Sequence, residues 1–256
     1  MVLDYFLWFL FYSFLGWLYE SVLCSIQGGK LVNRGFLIGP VCPIYGAGAV
    51  LLIGALSQVG NPALLFFAGI GLACSLEYFT SWLLEKLFHA RWWDYSRYRF
   101  NLNGRICLLG ALVFGVFTVL LLLWLHPAAK AVTAQIPETY KLFFSGFLLS
   151  ALFIDGAATL ANLISLKQKL CEIQDAINTF MGESRAQAGT FLTSLLEKFE
   201  GSRFYSERIR LLQHMTLQEK RILNAFPTVK SRRYGEALQH VKQRLKTASR
   251  QNRRRE

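Results

Sequence analysis

Five stretches of the chain, residues 2–26, 39–56, 62–84, 106–125 and 142–166, are apolar over nearly every position. A helix needs about 20 such residues to cross a hydrocarbon layer about 30 Å thick, so each stretch predicts a membrane span. The second opens on Gly39, Pro40 and Pro43. Proline is tolerated at a helix start, so a plain span is expected there, with a broken or re-entrant start as the alternative. After Leu166 the pattern changes. Lys167, Gln168, Lys169, Cys171, Glu172 and Asp175 interleave with Leu170, Ile173 and Ile177, and Phe191, Leu195 and Phe199 follow at the spacing of an amphipathic helix. Gly201 and Ser202 break that run, residues 204–225 fit another helix, Pro227 breaks again, and a last helix starts at Ser231. The expected architecture is an all-α membrane protein: about five transmembrane helices over residues 1–166, then a cytoplasmic, basic helical tail over 167–256.

Composition agrees with this division. Hydrophobic residues make up 53% and charged residues only 17%, against about 25% charged in ordinary soluble domains. The net charge of +12 is uneven, with 9 Lys/Arg against 7 Asp/Glu up to residue 166 and 19 against 9 after it. The first connection carries Lys30 and Arg34, the second no basic residue, the third Lys86, Arg91, Arg97, Arg99 and Arg105, and the fourth Lys130 and Lys141. A positive-inside distribution then puts the first and third connections and the tail in the cytoplasm, and the amino terminus outside. Asp4 stands where a signal peptide would be basic, and no small-residue cleavage pattern follows, so the first helix is expected to stay in the mature chain. Cys24, Cys42, Cys74, Cys107 and Cys171 are scattered without a C-x-x-C pair, and reduced thiols are expected. The basic end of the tail, with Arg250, Arg253, Arg254 and Arg255, suits anionic lipid. No nucleic-acid recognition motif accompanies it.

Three acids fall inside the spans, Glu20, Glu77 and Asp155, at about 2.5 to 3.5 kcal/mol each on insertion scales. Each lies on a polar stripe at helical spacing, with Ser13, Trp17 and Cys24, with Cys74 and Ser81, and with Thr159 and Asn162. The stripes are expected to converge on one cytoplasm-facing cavity, the bland alternative being separate helix contacts or pairs with Arg34 or Arg105. The connections before spans two and four repeat a theme: Asn33-Arg34-Gly35 in one, Asn101, Asn103, Gly104 and Arg105 in the other. Each follows a helix in which Glu adjoins Tyr, Tyr19 with Glu20 and Glu77 with Tyr78. This predicts a parallel helix–loop–helix repeat. Helix starts with free N–H groups and one Arg each would hold an anionic group above a pair of proton- or cation-binding carboxylates. The run Arg91-Trp92-Trp93-Asp94-Tyr95-Ser96 fits an interfacial aromatic belt, or a cage for a substituted amine.

There is no P-loop, no H-E-x-x-H, no cysteine pair for zinc and no G-x-S-x-G. No cofactor is implied, and any acid–base catalysis would use Glu20, Glu77, Asp94 or Asp155. The segments Tyr12-Ser13-Phe14-Leu15-Gly16-Trp17-Leu18-Tyr19-Glu20, Asn33-Arg34-Gly35-Phe36-Leu37, Gly39-Pro40-Val41-Cys42-Pro43-Ile44-Tyr45-Gly46, Trp93-Asp94-Tyr95 and Asn101-Leu102-Asn103-Gly104-Arg105-Ile106 resemble, in order and spacing, the bacterial family of putative ABC-transporter type IV, or CmpB-like, permeases. The resemblance covers about residues 5–166. It implies a multi-pass plasma-membrane permease with a separate ATPase subunit docking on the third connection or the tail, and it carries no catalytic residue.

Three functions follow as expectations. The first is a permease, expected to be a homo-oligomer because five helices enclose little space. Its cytoplasm-facing site would take an anionic or ionic solute, Glu20, Glu77 and Asp155 binding a cation or proton and Asn33, Arg34, Asn103 and Arg105 an anionic group. The second is an enzyme acting on lipid head groups through Asp94 and Glu77. The third is an anchor whose tail recruits a partner.

Overall fold

A computed structural model of the chain describes residues 1–29, 31–187, 215–231 and 233–252. Phe191, Leu195, Phe199, the Gly201–Ser202 break, Lys30 and Arg253 to Arg255 lie outside the described residues.

Four helical stretches are long and apolar enough to cross a membrane: Val2–Gly28 (α1), Pro62–Phe88 (α3), Leu108–Ala134 and Glu138–Thr179. The third of these is α4 (Leu108–Leu120), a π-helical turn (Leu121–Leu125) and α5 (His126–Ala134) in series. Pro127 has no N–H to give, and the widened turn before it lets the helix continue, so this span extends past the predicted end at Leu125. The fourth is the first part of α6 (Glu138–Gln187), 50 residues long and unbroken at Leu166. The composition change there marks a change of surroundings along one helix.

The second predicted span is the exception. Its helix, α2 (Pro43–Leu56), has 14 residues and is about 21 Å long, too short for the apolar layer. Pro40 lacks a donor and biases Gly39 away from helix, so the chain stays non-helical, bending over residues 36–40, and turns helical only at Pro43. The Cys42 N–H donates to the Ser13 carbonyl at 2.9 Å, which places the start of α2 about 22 Å along α1 from its Gly28 end. The expected plain span is therefore a broken one, non-helical on the Gly28 side and helical where α2 runs on toward the Met1 end.

The α1–α2 and α3–α4 pairs share a plan. α1 and α3 run the same way, since Trp8 and Leu65, near their starts, belong to one buried cluster with Leu52, Ile53, Leu56 and Leu121. Both end on a left-handed residue, Gly29 and His89, and both partner helices start from an extended cysteine, Cys42 and Cys107. Close approach within each pair depends on glycine. A Cβ at Gly46 would fall on the Ser13 hydroxyl and the Phe9 carbonyl, and one at Gly69 on Thr118.

At the opposite end from Met1, α6 continues into a helical tail with α7 (Leu217–Ala225) and α8 (Gly235–Asn252). Leu163, Leu166, Leu170, Ile173 and Ile177 of α6 bury against Ile222, Leu223, Phe226, Tyr234, Leu238 and Val241, with Trp92 among them. A capping box between Thr216 and Glu219 starts α7, and the fully buried Glu219 also accepts from Lys169 at 2.8 and 2.9 Å. The tail is stitched to the third connection. β1 (Ala90–Arg91) pairs antiparallel with β4 (Lys230–Ser231), while β2 (Asn101–Leu102) and β3 (Ile106–Cys107) form a hairpin.

Candidate functional site

The three intramembrane acids meet different fates. Glu20 and Glu77 line one cavity of about 570 Å³ between the two helix pairs, together with Arg34, Tyr45, Trp92, Trp93, Tyr95 and Phe226. Asp155 does not line it. Its Oδ1 and Oδ2 accept from the Ile38 and Gly39 amides at 2.8 and 2.7 Å, and Thr159 donates to Oδ1 at 3.1 Å. Of the three acids expected to share one cavity, two line it. The physical reason is the non-helical segment before α2, whose backbone donors sit where lipid offers no acceptor and must be met by protein.

The same requirement explains Arg221 of α7. Its Nη1 donates to the Gly35 carbonyl at 2.8 Å, its Nη2 to those of Phe36 and Leu37 at 3.2 and 2.7 Å, and its Nε to Gln218 at 2.7 Å. Burial pulls the Arg221 pKa below its usual value, and the nearby Asp155 charge opposes that shift. The segment is thus held by an anion on its N–H side and a cation on its C=O side.

Within the cavity the two glutamates differ. Glu20 accepts the Tyr45 hydroxyl at 2.6 Å and pairs with the Arg34 Nε at 3.5 Å. Arg34 also donates to the Ala225 carbonyl and lies over the Phe226 ring, 4.6 Å from its centroid. Glu77, 8% exposed, accepts only the Tyr95 hydroxyl, at 3.3 Å, and among the described residues has no ion-pair partner. Trp93 lines the cavity with its ring fixed by an Nε1 bond to the Arg105 carbonyl at 3.1 Å. Trp92, 4% exposed between Phe36, Phe88 and Phe226, has a buried Nε1 without a partner.

The other predicted site residues brace the surroundings. Asn33 accepts from Trp17 at 2.8 Å and from the Gly35 amide at 3.1 Å. Arg105 pairs with Glu85 at 2.9 Å, beside Arg91 at 3.3 Å, and lies over Tyr78. Asn103 donates to the Tyr78 hydroxyl at 3.0 Å, and Asn101 accepts the Gly104 amide at 2.8 Å. Asn103 and Gly104 both have positive φ, so this loop is a hairpin turn. Asp94 pairs with Lys230 at 2.5 Å and caps the Ser96 amide at 3.0 Å. Burial works to raise the Asp94 pKa, but the bonds from Lys230 and Ser96 outweigh it and leave it at about 2.

Tyr45, Phe226 and Arg221 carry much of the geometry and were not among the predicted site residues. Tyr45 had a signal, one turn into a helix after two prolines. Phe226 and Arg221 had none, because they reach the site across nearly the whole chain. All five cysteines are free, and among the described residues no group of His, Cys, Asp and Glu is arranged to hold a metal.

These features define a multi-pass α-helical membrane protein with an internal cavity between two helix–loop–helix units. Residues 7–160 match the family described as Putative ABC-transporter type IV, and the chain belongs to that family. No curated protein and no solved structure matches it.

Proposed function

We propose that this protein is the membrane-embedded component of a transporter, and that the cavity between its two helix–loop–helix units is the site of an ionic solute. The observation carrying this reading is that Glu20 and Glu77, from different helices, line one cavity whose other walls are largely aromatic and aliphatic. A volume of about 570 Å³ lies in the range of small-molecule sites. Bundle assembly alone gives no reason to enclose such a space.

The orientation follows from the basic connections and tail: the amino terminus is outside, and the tail end of the cavity, framed by Arg34, Trp92 and Phe226, faces the cytoplasm. The cavity lies within one chain, so a homo-oligomer is not needed to build it, although the exposed aromatic side of α6, with Phe143, Phe147 and Phe153, leaves room for a second copy. Energy would come from a separate ATPase docking on the tail side, where the third connection and the tail form one surface, and the basic end of the tail would lie against anionic lipid. Lipid head-group catalysis draws less support, since Asp94, the acid it needs, is paired with Lys230 outside the cavity.

Proteoliposomes on a solid-supported membrane test the reading through charge displacement after jumps in organic or inorganic ion concentration. A saturable displacement lost in Glu77→Gln, and kept in Glu138→Gln at the far end of α6, is the expected result. Absence of displacement for every ion, or one indifferent to both Glu20→Gln and Glu77→Gln, would overturn it.

A further inference from the structure

We infer that the ligand of this cavity is an amphipathic organic monocation, a substituted ammonium or phosphonium carrying aromatic or alkyl groups, with Glu77 as its counter-ion. The inference rests on the solute-site reading above and specifies its chemistry.

Charge decides first. Arg34 is the cation lining the cavity, and it is taken by Glu20, the Ala225 carbonyl and the Phe226 ring. Arg105, the other arginine expected to hold an anion, does not line the cavity and faces Glu85. An anionic ligand would find no uncommitted cation in the walls. Glu77 is the reverse case, a buried carboxylate with one neutral hydroxyl for company. An ionised carboxylate in such surroundings is held at a penalty unless a positive charge joins it. With Glu20 neutralised by Arg34, the cavity has room for one added positive charge.

The walls decide the rest. A small inorganic cation prefers several charged or carbonyl oxygens, and here the lining offers one carboxylate without an ion pair, Glu77, and scattered hydroxyls among largely apolar groups such as Leu76, Phe114, Phe117 and Trp93. Rings beside a carboxylate attract a weakly hydrated organic cation through their π faces, while the apolar walls cover its substituents.

Tetraphenylphosphonium and tetraphenylborate, nearly identical in shape and opposite in charge, separate the alternatives on the purified full chain in detergent. Binding is read as saturable quenching of tryptophan fluorescence, with Trp92→Phe identifying the local signal. The phosphonium is expected to bind at least tenfold more tightly than the borate, to lose that advantage in Glu77→Gln, and to regain it in Glu77→Asp. It should keep it in Glu138→Gln, at the far end of α6 and outside the cavity lining. Thermal unfolding of each variant shows whether it is folded, and Glu77→Asp carries the test if Glu77→Gln is not. Tighter binding of the borate, or phosphonium binding indifferent to residue 77, overturns the cation assignment and leaves a solute cavity standing. Saturable binding of neither probe overturns the solute-site reading together with this inference.

Discussion

In the first helix–loop–helix unit Arg34 folds back to within 3.5 Å of Glu20, whereas in the second Arg105 lies 2.9 Å from Glu85, roughly two helical turns beyond Glu77 on α3. One plan has thus been built twice with its arginine in two places. In the first unit the acid in the cavity is neutralised where it stands. In the second the arginine serves the connection, with Arg91 and Glu85, and the acid in the cavity keeps only a tyrosine. The connections differ in the same sense. The first, irregular along its described residues, is held from outside by Asp155 and Arg221; the second is a hairpin that meets its own backbone needs through its strand pairing and the Asn101 side chain on the Gly104 amide. A shared plan with unequal bracing leaves one acid without a counter-ion in the cavity, and such an acid favours a cationic ligand.

The shared part of the plan is the hardest to break. Gly46→Val would press a branched side chain into the Ser13 hydroxyl and the Phe9 carbonyl, and backbone cannot step aside. A loss of about 3 kcal/mol or more is expected, enough to deplete the folded protein. Gly54→Ala on the same helix, with open space around its Cβ, should leave the unfolding temperature unchanged or slightly raised. Equal loss from both would mean that helix propensity and not close approach sets the effect.

The unequal bracing comes next. Asp155→Ala removes the acceptor of two amides at membrane depth, which at about 1.5 to 3 kcal/mol for bonds to a charged group should lower stability and speed hydrogen exchange at residues 38 and 39. Exchange in the hairpin at residues 101–107 should not change. Arg221→Ala should act on the same segment from the carbonyl side, with a lower unfolding temperature and no effect on the hairpin. If either substitution loosens both connections alike, the contrast between them is wrong. A smaller effect is expected of the double variant Glu20→Gln/Arg34→Gln: removing a half-buried ion pair together should cost about 1 kcal/mol or less.

The long apolar runs were legible in the sequence because lipid demands one thing of a helix, about 20 residues without charge. α1, α3 and the start of α6 follow that rule closely. The start of α2 obeyed a different one, since Gly39, Pro40 and Pro43 disfavour helix together, and only the length of the resulting helix separates a broken span from a plain one. Among the candidate site residues, Glu20, Arg34, Glu77, Trp93 and Tyr95 line the cavity. Asp155 was conspicuous for the same reason as the two glutamates, its charge in an apolar run, but a carboxylate that binds solute and one that binds backbone leave the same trace in a sequence. Asn103 followed by Gly104 is a hairpin signal in its own right, passed over in favour of the adjacent arginine. Phe226 and Arg221 depend on contacts between residues more than 180 positions apart, which no local pattern encodes.

The mildest test concerns how the second connection is tied to the tail. Asp94 and Lys230 join the strand pair β1–β4, with the Asp94 carboxyl held at about 2 against an ordinary value of 3.8. Because the folded value lies below the unfolded one, the contribution is fully present above about pH 4, declines as the pH falls from there toward 2, and is gone below. Lys230 is 63% exposed, so screening keeps the effect under about 1 kcal/mol. Acid titration followed by Trp92 fluorescence, which reports the contact with Phe226 just before β4, should show a shallow loss of tail docking in that window, and Asp94→Asn should remove its pH dependence. The Arg221 contacts to backbone carbonyls contain no group that titrates there, so the carbonyl side of the first connection, residues 35–37, should stay in place while the second loosens. Simultaneous release of both would mean that the tail moves as one rigid cap, and that the two units are braced more alike than their sequences suggest.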